Sequence, residues 1–234
     1  YVVVYALLSG PSVAGAYRFR MHRGKGVTME IETALHLRKD VERLGIAPLT
    51  SMYWYSETAK ATAVDWRPEV HDSDGLALWT GAGERAFRPL NNPSQTTASS
   101  FMDENPRGFG LMQRDRDFAN YQDDGAFYDR RPTLWVEPRG DWGAGALDLI
   151  EIPTIDETFD NIVAFWNPKD KPQPGQELLW SYTLHWCREE TTRPPLARCI
   201  ATRTGIGGVV GKKRDHYSRR FVVDFAGGDF ALLD

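Results

Sequence analysis

The sequence predicts an all-β protein, built as an antiparallel β-sandwich. In two segments, residues 26–37 and 177–187, mostly apolar side chains alternate with mostly polar ones. This is the period expected of strands with one buried face. Short apolar runs recur along the chain and are separated by Gly, Pro, Asn and Asp. Because no long amphipathic helices alternate with these runs, the pattern argues against a parallel α/β sheet.

The two alternating segments predict which faces are buried. Odd-numbered residues from Val27 to Leu37 are mostly apolar, and even-numbered residues from Leu178 to Trp186 form a largely aromatic face. The one helical candidate is RKDVERLG, residues 38–45, which ends in a glycine. The other predicted strands, in chain order, are YVVVYALL, AYRFRM, LTSMYWYS, LALWT, GFGLMQR, PTLWVEP, ALDLIEIP, DNIVAFW, RCIATR and RFVVDF.

The length and composition predict one sandwich domain over residues 1–234. With 234 residues, of which 41% are hydrophobic, the chain can bury the core of one large all-β domain or of two small ones, and we favour one. The chain begins inside the strand-like YVVVYALL and ends soon after the strand-like FVVDF. We therefore expect it to be a fragment of a larger sandwich.

Charge and motifs exclude several classes of function. The net charge of −4 supplies no basic field for a polyanion, so nucleic acid is not an expected partner. No apolar run is long enough for a membrane-spanning helix. Nucleophile-elbow, Walker and dinucleotide-binding motifs are missing from the sequence, so we predict no cofactor. Cys187 and Cys199 are either partners in a disulfide or two small buried residues.

Acidic residues are concentrated in loops rich in turn-forming residues. One carboxylic acid that protonates a leaving oxygen and a second that activates water are what a glycosidase needs. The alternative is that these carboxylates organise solvated turns. His71 beside two aspartates also suggests a metal site, but nothing else at ligand spacing supports it and we predict none. The four acidic loops are HDSDG (Asp72, Asp74), QRDRDF (Asp115, Asp117), YQDDG (Asp123, Asp124) and EIPTIDETFDN (Asp156, Glu157, Asp160).

Six long segments carry a resemblance to a known family. They are APLTSMYWY (47–55), RPEVHDSDGL (67–76), FRPLNNP (87–93), NPRGFGLMQRDRDFANYQD (105–123), RPTLWVEPRGDWGAGALDLIEIPT (131–154) and DETFDNIVAFWNP (156–168). In the same order, they resemble the bacterial periplasmic glucan biosynthesis proteins of the G and D types.

The resemblance implies an architecture and a compartment. Members carry a secretory leader, a large mutarotase-like supersandwich and a smaller C-terminal immunoglobulin-like domain. By that likeness, this chain is the later part of the large sandwich of a periplasmic protein, without its first strands or the small domain. Missing strands would leave unpaired edges, so we expect a homodimer as one way of covering them.

The resemblance also implies an activity. D-type members look like inverting endo-β-1,2-glucanases, and the matching positions are Asp160 of DETFDN as the general acid and Asp72 of HDSDG as the general base. We expect the two carboxyls to lie roughly 6.5–9.5 Å apart if water attacks directly, and farther apart if a relay intervenes. The alternatives are a non-catalytic carbohydrate-binding or glucan-organising module and an interaction scaffold without sugar.

The expected substrate is β-1,2-glucan or a related oligosaccharide. Flat aromatic rings suit sugar faces, although each aromatic residue has a core position as its alternative role. Two acidic neighbours of the proposed acid complete the predicted binding set. The substrate-binding candidates are Tyr53, Trp54, Tyr55, Trp135, Trp142, Asp156 and Glu157.

Overall fold

The structure, a computed structural model, describes residues 1–191 and 195–232. It confirms the all-β fold class. The chain divides into two compact units, Tyr1–Thr191 and Thr192–Asp234. The second unit contains an antiparallel pair, β15 (Arg198–Ile206) and β16 (Arg219–Ala226), followed by a 3₁₀ turn at Gly228–Leu232. The single domain predicted over residues 1–234 stays a prediction.

Unit 1 contains the strands that build the sandwich. Their bounds are β1 (Val2–Ser9), β2 (Val13–Arg23), β3 (Val27–Leu37), β4 (Ile46–Ser51), β5 (Tyr53–Tyr55), β6 (Val70–His71), β7 (Gly75–Trp79), β8 (Arg85–Pro89), β9 (Thr97–Glu104), β10 (Gly108–Met112), β11 (Thr133–Pro138), β12 (Ala144–Glu151), β13 (Ile162–Pro168) and β14 (Glu177–Cys187).

These strands form two main sheets and one short pair, all antiparallel. The eight-stranded sheet has the order β1-β2-β3-β14-β11-β10-β7-β8, and the four-stranded sheet has the order β4-β13-β12-β9. The remaining pair is β5 with β6. At one edge of the larger sheet, every residue of β1 is exposed.

The register of β3 against β14 explains the alternation seen in the sequence. Ile31 lies opposite Tyr182 and Leu35 opposite Leu178, so the apolar positions of both strands share one face. That face packs against apolar side chains from the four-stranded sheet, including Leu149, in one continuous cluster. The sheets therefore pack face to face as a sandwich.

The helix predicted for residues 38–45 was wrong, because this segment is an irregular connection between β3 and β4. The backbone N–H groups of Arg38 and Lys39 donate to the carbonyl oxygen of Ser12, at 2.8 and 3.3 Å, and Leu44 packs on the core. An isolated helix of two turns is marginal in water, so these tertiary contacts decide the conformation. In unit 1 the helical turns described are α1 (Phe118–Tyr121) and 3₁₀ turns at Lys60–Thr62 and Tyr128–Arg130.

The two cysteines are free thiols. Cys187 is half-buried at the end of β14, and Cys199 is exposed in β15. Of the two alternatives drawn from the sequence, the structure thus has neither a disulfide nor a fully buried pair. Within the described residues, no helix has the length and apolarity needed to cross a membrane.

Candidate functional site

The loop that carries Asp72 is fixed by the short strand pair of β5 and β6. Tyr53 of β5 lies opposite His71 of β6, and Asp72 follows directly. The Asp72 backbone N–H donates to the carbonyl oxygen of Met52 at 2.8 Å, and the Ser73 hydroxyl accepts a hydrogen bond from Ser51 at 2.8 Å. The loop is therefore tied at two consecutive residues to the segment that joins β4 to β5.

The loop that carries Asp160 is anchored on the same strand. It joins β12 to β13 as residues 152–161, and its base is closed by the side chain of Asn161. That amide accepts from the Tyr53 N–H at 2.8 Å and donates to the Tyr53 carbonyl at 3.0 Å and to the Ile152 carbonyl at 2.9 Å. Because Tyr53 also pairs with His71, one residue of β5 holds the neighbours of both Asp160 and Asp72.

Asp72 has a perturbed pKa, and Asp160 is among its causes. Burial raises the pKa of Asp72 above its ordinary value, the charge of Arg131 opposes that rise, and the charge of Asp160 adds to it. The Nε atom of Arg131 lies 3.0 Å from Asp72 Oδ1, and the Asp72 side chain is 27% exposed. Asp160 itself is exposed. The charge of Asp160 thus acts on Asp72, and the roles of the two residues as acid and base stay predictions.

The other two acidic candidates of the loop have internal partners. Glu157 accepts hydrogen bonds from two nitrogens of Arg67, at 2.7 and 3.1 Å, and from the Tyr128 hydroxyl at 2.5 Å. Asp156 accepts from the Thr158 N–H and hydroxyl, at 2.8 and 2.5 Å, and these bonds lower its pKa. Both carboxylates shape the loop in this structure, while their predicted role in substrate binding stays a prediction.

Four of the five aromatic candidates are buried. Trp142 packs edge-to-face on Trp180, with ring centroids 5.3 Å apart, in the sandwich core. Trp135 lies across the β10 glycines, where a Cβ added at Gly108 would meet its ring at 2.3 Å. Tyr53 and Tyr55 are 5% and 3% exposed.

Trp54 is the exception among the aromatic candidates, because it is half-buried. A sugar cannot stack on a ring face that other side chains cover. The contacts of the four buried rings therefore fit the alternative core role.

Two exposed aromatic residues near the site were missed by the sequence analysis. Trp66 is 69% exposed and directly precedes Arg67, while Phe159 is 65% exposed and directly precedes Asp160. Both lie in polar, irregular loops, where no alternating strand provides a core to bury them. That placement was the available signal, since large exposed aromatic side chains beside acidic loops suit a ligand surface.

A buried ionisable pair lies next to Asp72. His71 is fully buried and contacts Glu69 at 2.9 Å and Gln113 at 3.1 Å through its two ring nitrogens. Burial raises the pKa of Glu69 to about 7, although the hydrogen bond to His71 acts to lower it. Burial works to lower the pKa of His71, but the Glu69 bond and the Asp74 charge outweigh it, so this pKa lies above its ordinary value.

We expect the protein to lose stability as the pH rises from about 4.5 through about 7. Both Glu69 and His71 bind a proton more tightly in the folded state than in the unfolded state. The bound protons therefore stabilise the fold fully at a pH below the unfolded-state pKa values, and this stabilisation is lost as the pH rises through the folded-state pKa values. Thermal melts across this range should show a falling midpoint, and Glu69→Gln should flatten the fall. A midpoint that rises with pH would contradict this assignment.

His71 has both ring nitrogens engaged by protein groups, which leaves no lone pair directed at an ion. Among the residues that the structure describes, no group of three or more His, Cys, Asp or Glu side chains is arranged to hold a metal.

Fold and site together define an all-β sandwich protein with two acidic loops anchored on one short strand. Residues 1–234 match the family model described as "Periplasmic glucan biosynthesis protein, MdoG". The chain belongs to this family, as the resemblance implied.

Three relatives illustrate the similarity. Glucans biosynthesis protein D of Stenotrophomonas maltophilia (strain K279a) is 64% identical over 99% of this chain and 43% of that protein. The protein of the same name from Xanthomonas oryzae pv. oryzae (strain PXO99A) is 61% identical over 99% and 43%, and that from Xanthomonas axonopodis pv. citri (strain 306) is 62% identical over 99% and 44%. The chain thus spans less than half the length of these relatives.

Proposed function

We propose that the protein to which this chain belongs is a periplasmic glycoside hydrolase that cleaves β-1,2-glucan during glucan biosynthesis, with inversion at the anomeric carbon. Asp160 is the general acid and Asp72 the general base. The observation that carries the proposal is the anchoring of both loops on Tyr53, together with the interaction between the Asp160 and Asp72 charges. The printed names of the relatives support the part in glucan biosynthesis.

An inverting mechanism divides the work between the two carboxyls. The acid donates its proton to the glycosidic oxygen as the bond to the anomeric carbon breaks, and the base takes a proton from the water that attacks the opposite face. Asp160 is exposed on its loop and is accessible to a bound chain. Asp72 is more enclosed, and Arg131 opposes the rise in its pKa, which favours the ionised form that a base requires.

The glucan itself has a surface beside these carboxyls. The exposed rings of Trp66 and Phe159 are the platforms we propose for sugar stacking, together with the half-buried Trp54. Asn92 fixes Trp54 against the acid loop, because its side-chain amide donates to the carbonyl oxygens of Trp54 at 3.1 Å and of Thr154 at 2.8 Å. Phe159 thus lies on the loop of Asp160, and Asn92 links Trp54 to that loop.

A second candidate is a glucan-binding or glucan-organising module without turnover. The exposure of Asp160 favours it, since general acids are commonly held in a partly desolvated environment that raises their pKa. Such a module would bind through the same aromatic residues. It would release no products.

Incubation of the full-length protein with linear β-1,2-glucan, followed by chromatography, separates the two candidates. We expect shorter β-1,2-linked oligosaccharides whose new reducing ends first carry the inverted anomeric configuration, measured by proton NMR. Binding without any products would remove the hydrolase and leave the module. Sedimentation of the same sample tests the predicted homodimer.

A further inference from the structure

Arg67 has an arrangement of partners that the proposed reaction does not itself explain. The residue is 8% exposed, and each of its five N–H groups faces a carboxylate oxygen. Nε and Nη2 donate to the two oxygens of Asp65, both at 2.9 Å. Nη1 donates to Asp123 Oδ2 at 2.5 Å and to Glu157 Oε2 at 2.7 Å, and Nη2 also donates to Glu157 Oε1 at 3.1 Å.

The three carboxylates come from different parts of the site. Asp65 lies two residues from Arg67 on the same loop. Asp123 lies in the segment after α1, which continues into Tyr128 and then Arg131, the partner of Asp72. Glu157 belongs to the loop that carries Asp160. One guanidinium therefore connects the segment beside the proposed base to the loop of the proposed acid.

Arg67 is itself held in place. Its backbone carbonyl accepts hydrogen bonds from the Tyr55 hydroxyl at 2.9 Å and from the Lys60 ammonium group. Tyr55 belongs to a small buried cluster with Met52 and Tyr128, next to the loop of Asp72. The guanidinium therefore projects from a fixed backbone, and its two distant carboxylates are oriented with respect to that backbone.

We propose that Arg67 is the positioning residue that fixes the Asp160 loop relative to Asp72. This inference rests on the proposed function, and it adds a residue that touches neither of the two reacting carboxyls. Lysine cannot replace it, because an ammonium group has three N–H donors on a point charge, while the planar guanidinium spans three carboxylates at once. Displacing a catalytic group by about 1 Å can cost about 10²-fold in rate.

The test compares Arg67→Lys with the wild type in the full-length protein, using linear β-1,2-glucan. We expect kcat to fall about 10²-fold because the acid is misplaced, with a smaller rise in KM because Phe159 lies on the loop that moves with Asp160. The matched control is Arg18→Lys, at an exposed ion pair with Glu32 on β2 and β3, which should leave both constants unchanged. If Arg67→Lys does not fold, Glu157→Gln is the second variant. It removes the charge of one distant carboxylate and should also lower kcat.

Hydrogen exchange on the same samples separates this inference from the proposed function. Faster exchange in residues 122–131 and 152–161 of Arg67→Lys, but not of Arg18→Lys, supports the positioning role even if the wild type cleaves no glucan. Unchanged exchange in both segments would overturn it. Loss of activity that follows the unfolded fraction, with normal kcat in the folded fraction, would also overturn it.

Discussion

Replacing Asp160 by asparagine in the full-length protein is expected to reduce cleavage of β-1,2-glucan about 10²–10⁴-fold. The amide keeps the size of the carboxylic acid and its hydrogen-bonding capacity but cannot deliver a proton to the leaving oxygen. Asp160 is exposed on its loop, so the substitution should leave folding and glucan binding largely intact. Activity, binding and melting temperature are to be measured on one sample.

The leaving group of the substrate identifies the role of Asp160. An aryl glycoside of a β-1,2-linked oligomer has a leaving group that departs without protonation, so Asp160→Asn should retain much of its rate on that substrate. If Asp160 only caps a turn, the substitution costs about 0.5–2 kcal/mol of stability and the folded fraction keeps its turnover. Near-normal cleavage of the glucan would exclude Asp160 as the acid, and Asp156 and Glu157 would be tested next.

The sandwich could be predicted from the sequence because its evidence is local. Alternation along β3 and β14 reflects one buried face, and the pairing of Ile31 with Tyr182 places both apolar rows on that face. The helix predicted for residues 38–45 was wrong because the evidence that decides this segment is not local. Its conformation depends on the carbonyl oxygen of Ser12, and a hydrogen bond across that distance in sequence leaves no periodic pattern.

The candidate site was predictable in part. The acidic loops were visible as loops, and the resemblance assigned Asp72 and Asp160 within them. Arg67 could not be found in the same way, because its bond to Glu157 joins residues 90 positions apart. Composition does not distinguish an arginine that spans three carboxylates from one that lies in solvent.

The aromatic residues show how local context separates two roles. Trp135 lies in the apolar strand β11, and its ring covers glycines of the neighbouring strand, so its size serves the packing of the sheet. Trp66 lies in a polar loop and remains 69% exposed. The strand pattern was the better guide to buried rings, and a departure from it was the better guide to exposed ones.

Replacing Asp72 by asparagine is expected to lower glucan cleavage by about 10²–10⁴-fold as well. An asparagine cannot accept the proton that water must lose as it attacks the anomeric carbon. The aryl glycoside should not rescue this variant, in contrast to Asp160→Asn, because an easier departure of the leaving group does not replace the base. Equal rescue of both variants would mean that the two roles are assigned incorrectly.

The pKa of Asp72 provides an independent test of the pair. The charge of Asp160 contributes to the raised pKa of Asp72, so removing that charge in Asp160→Asn should lower the pKa of Asp72. Arg131 acts in the opposite direction, and Arg131→Met should raise it. Both shifts can be followed by carbon-13 NMR of the labelled aspartate carboxyl, with Asp72→Asn identifying the signal. An Asp72 signal that titrates identically with and without the Asp160 charge would show that the two carboxyls do not share one site, and an acid–base pair made from them would then be excluded.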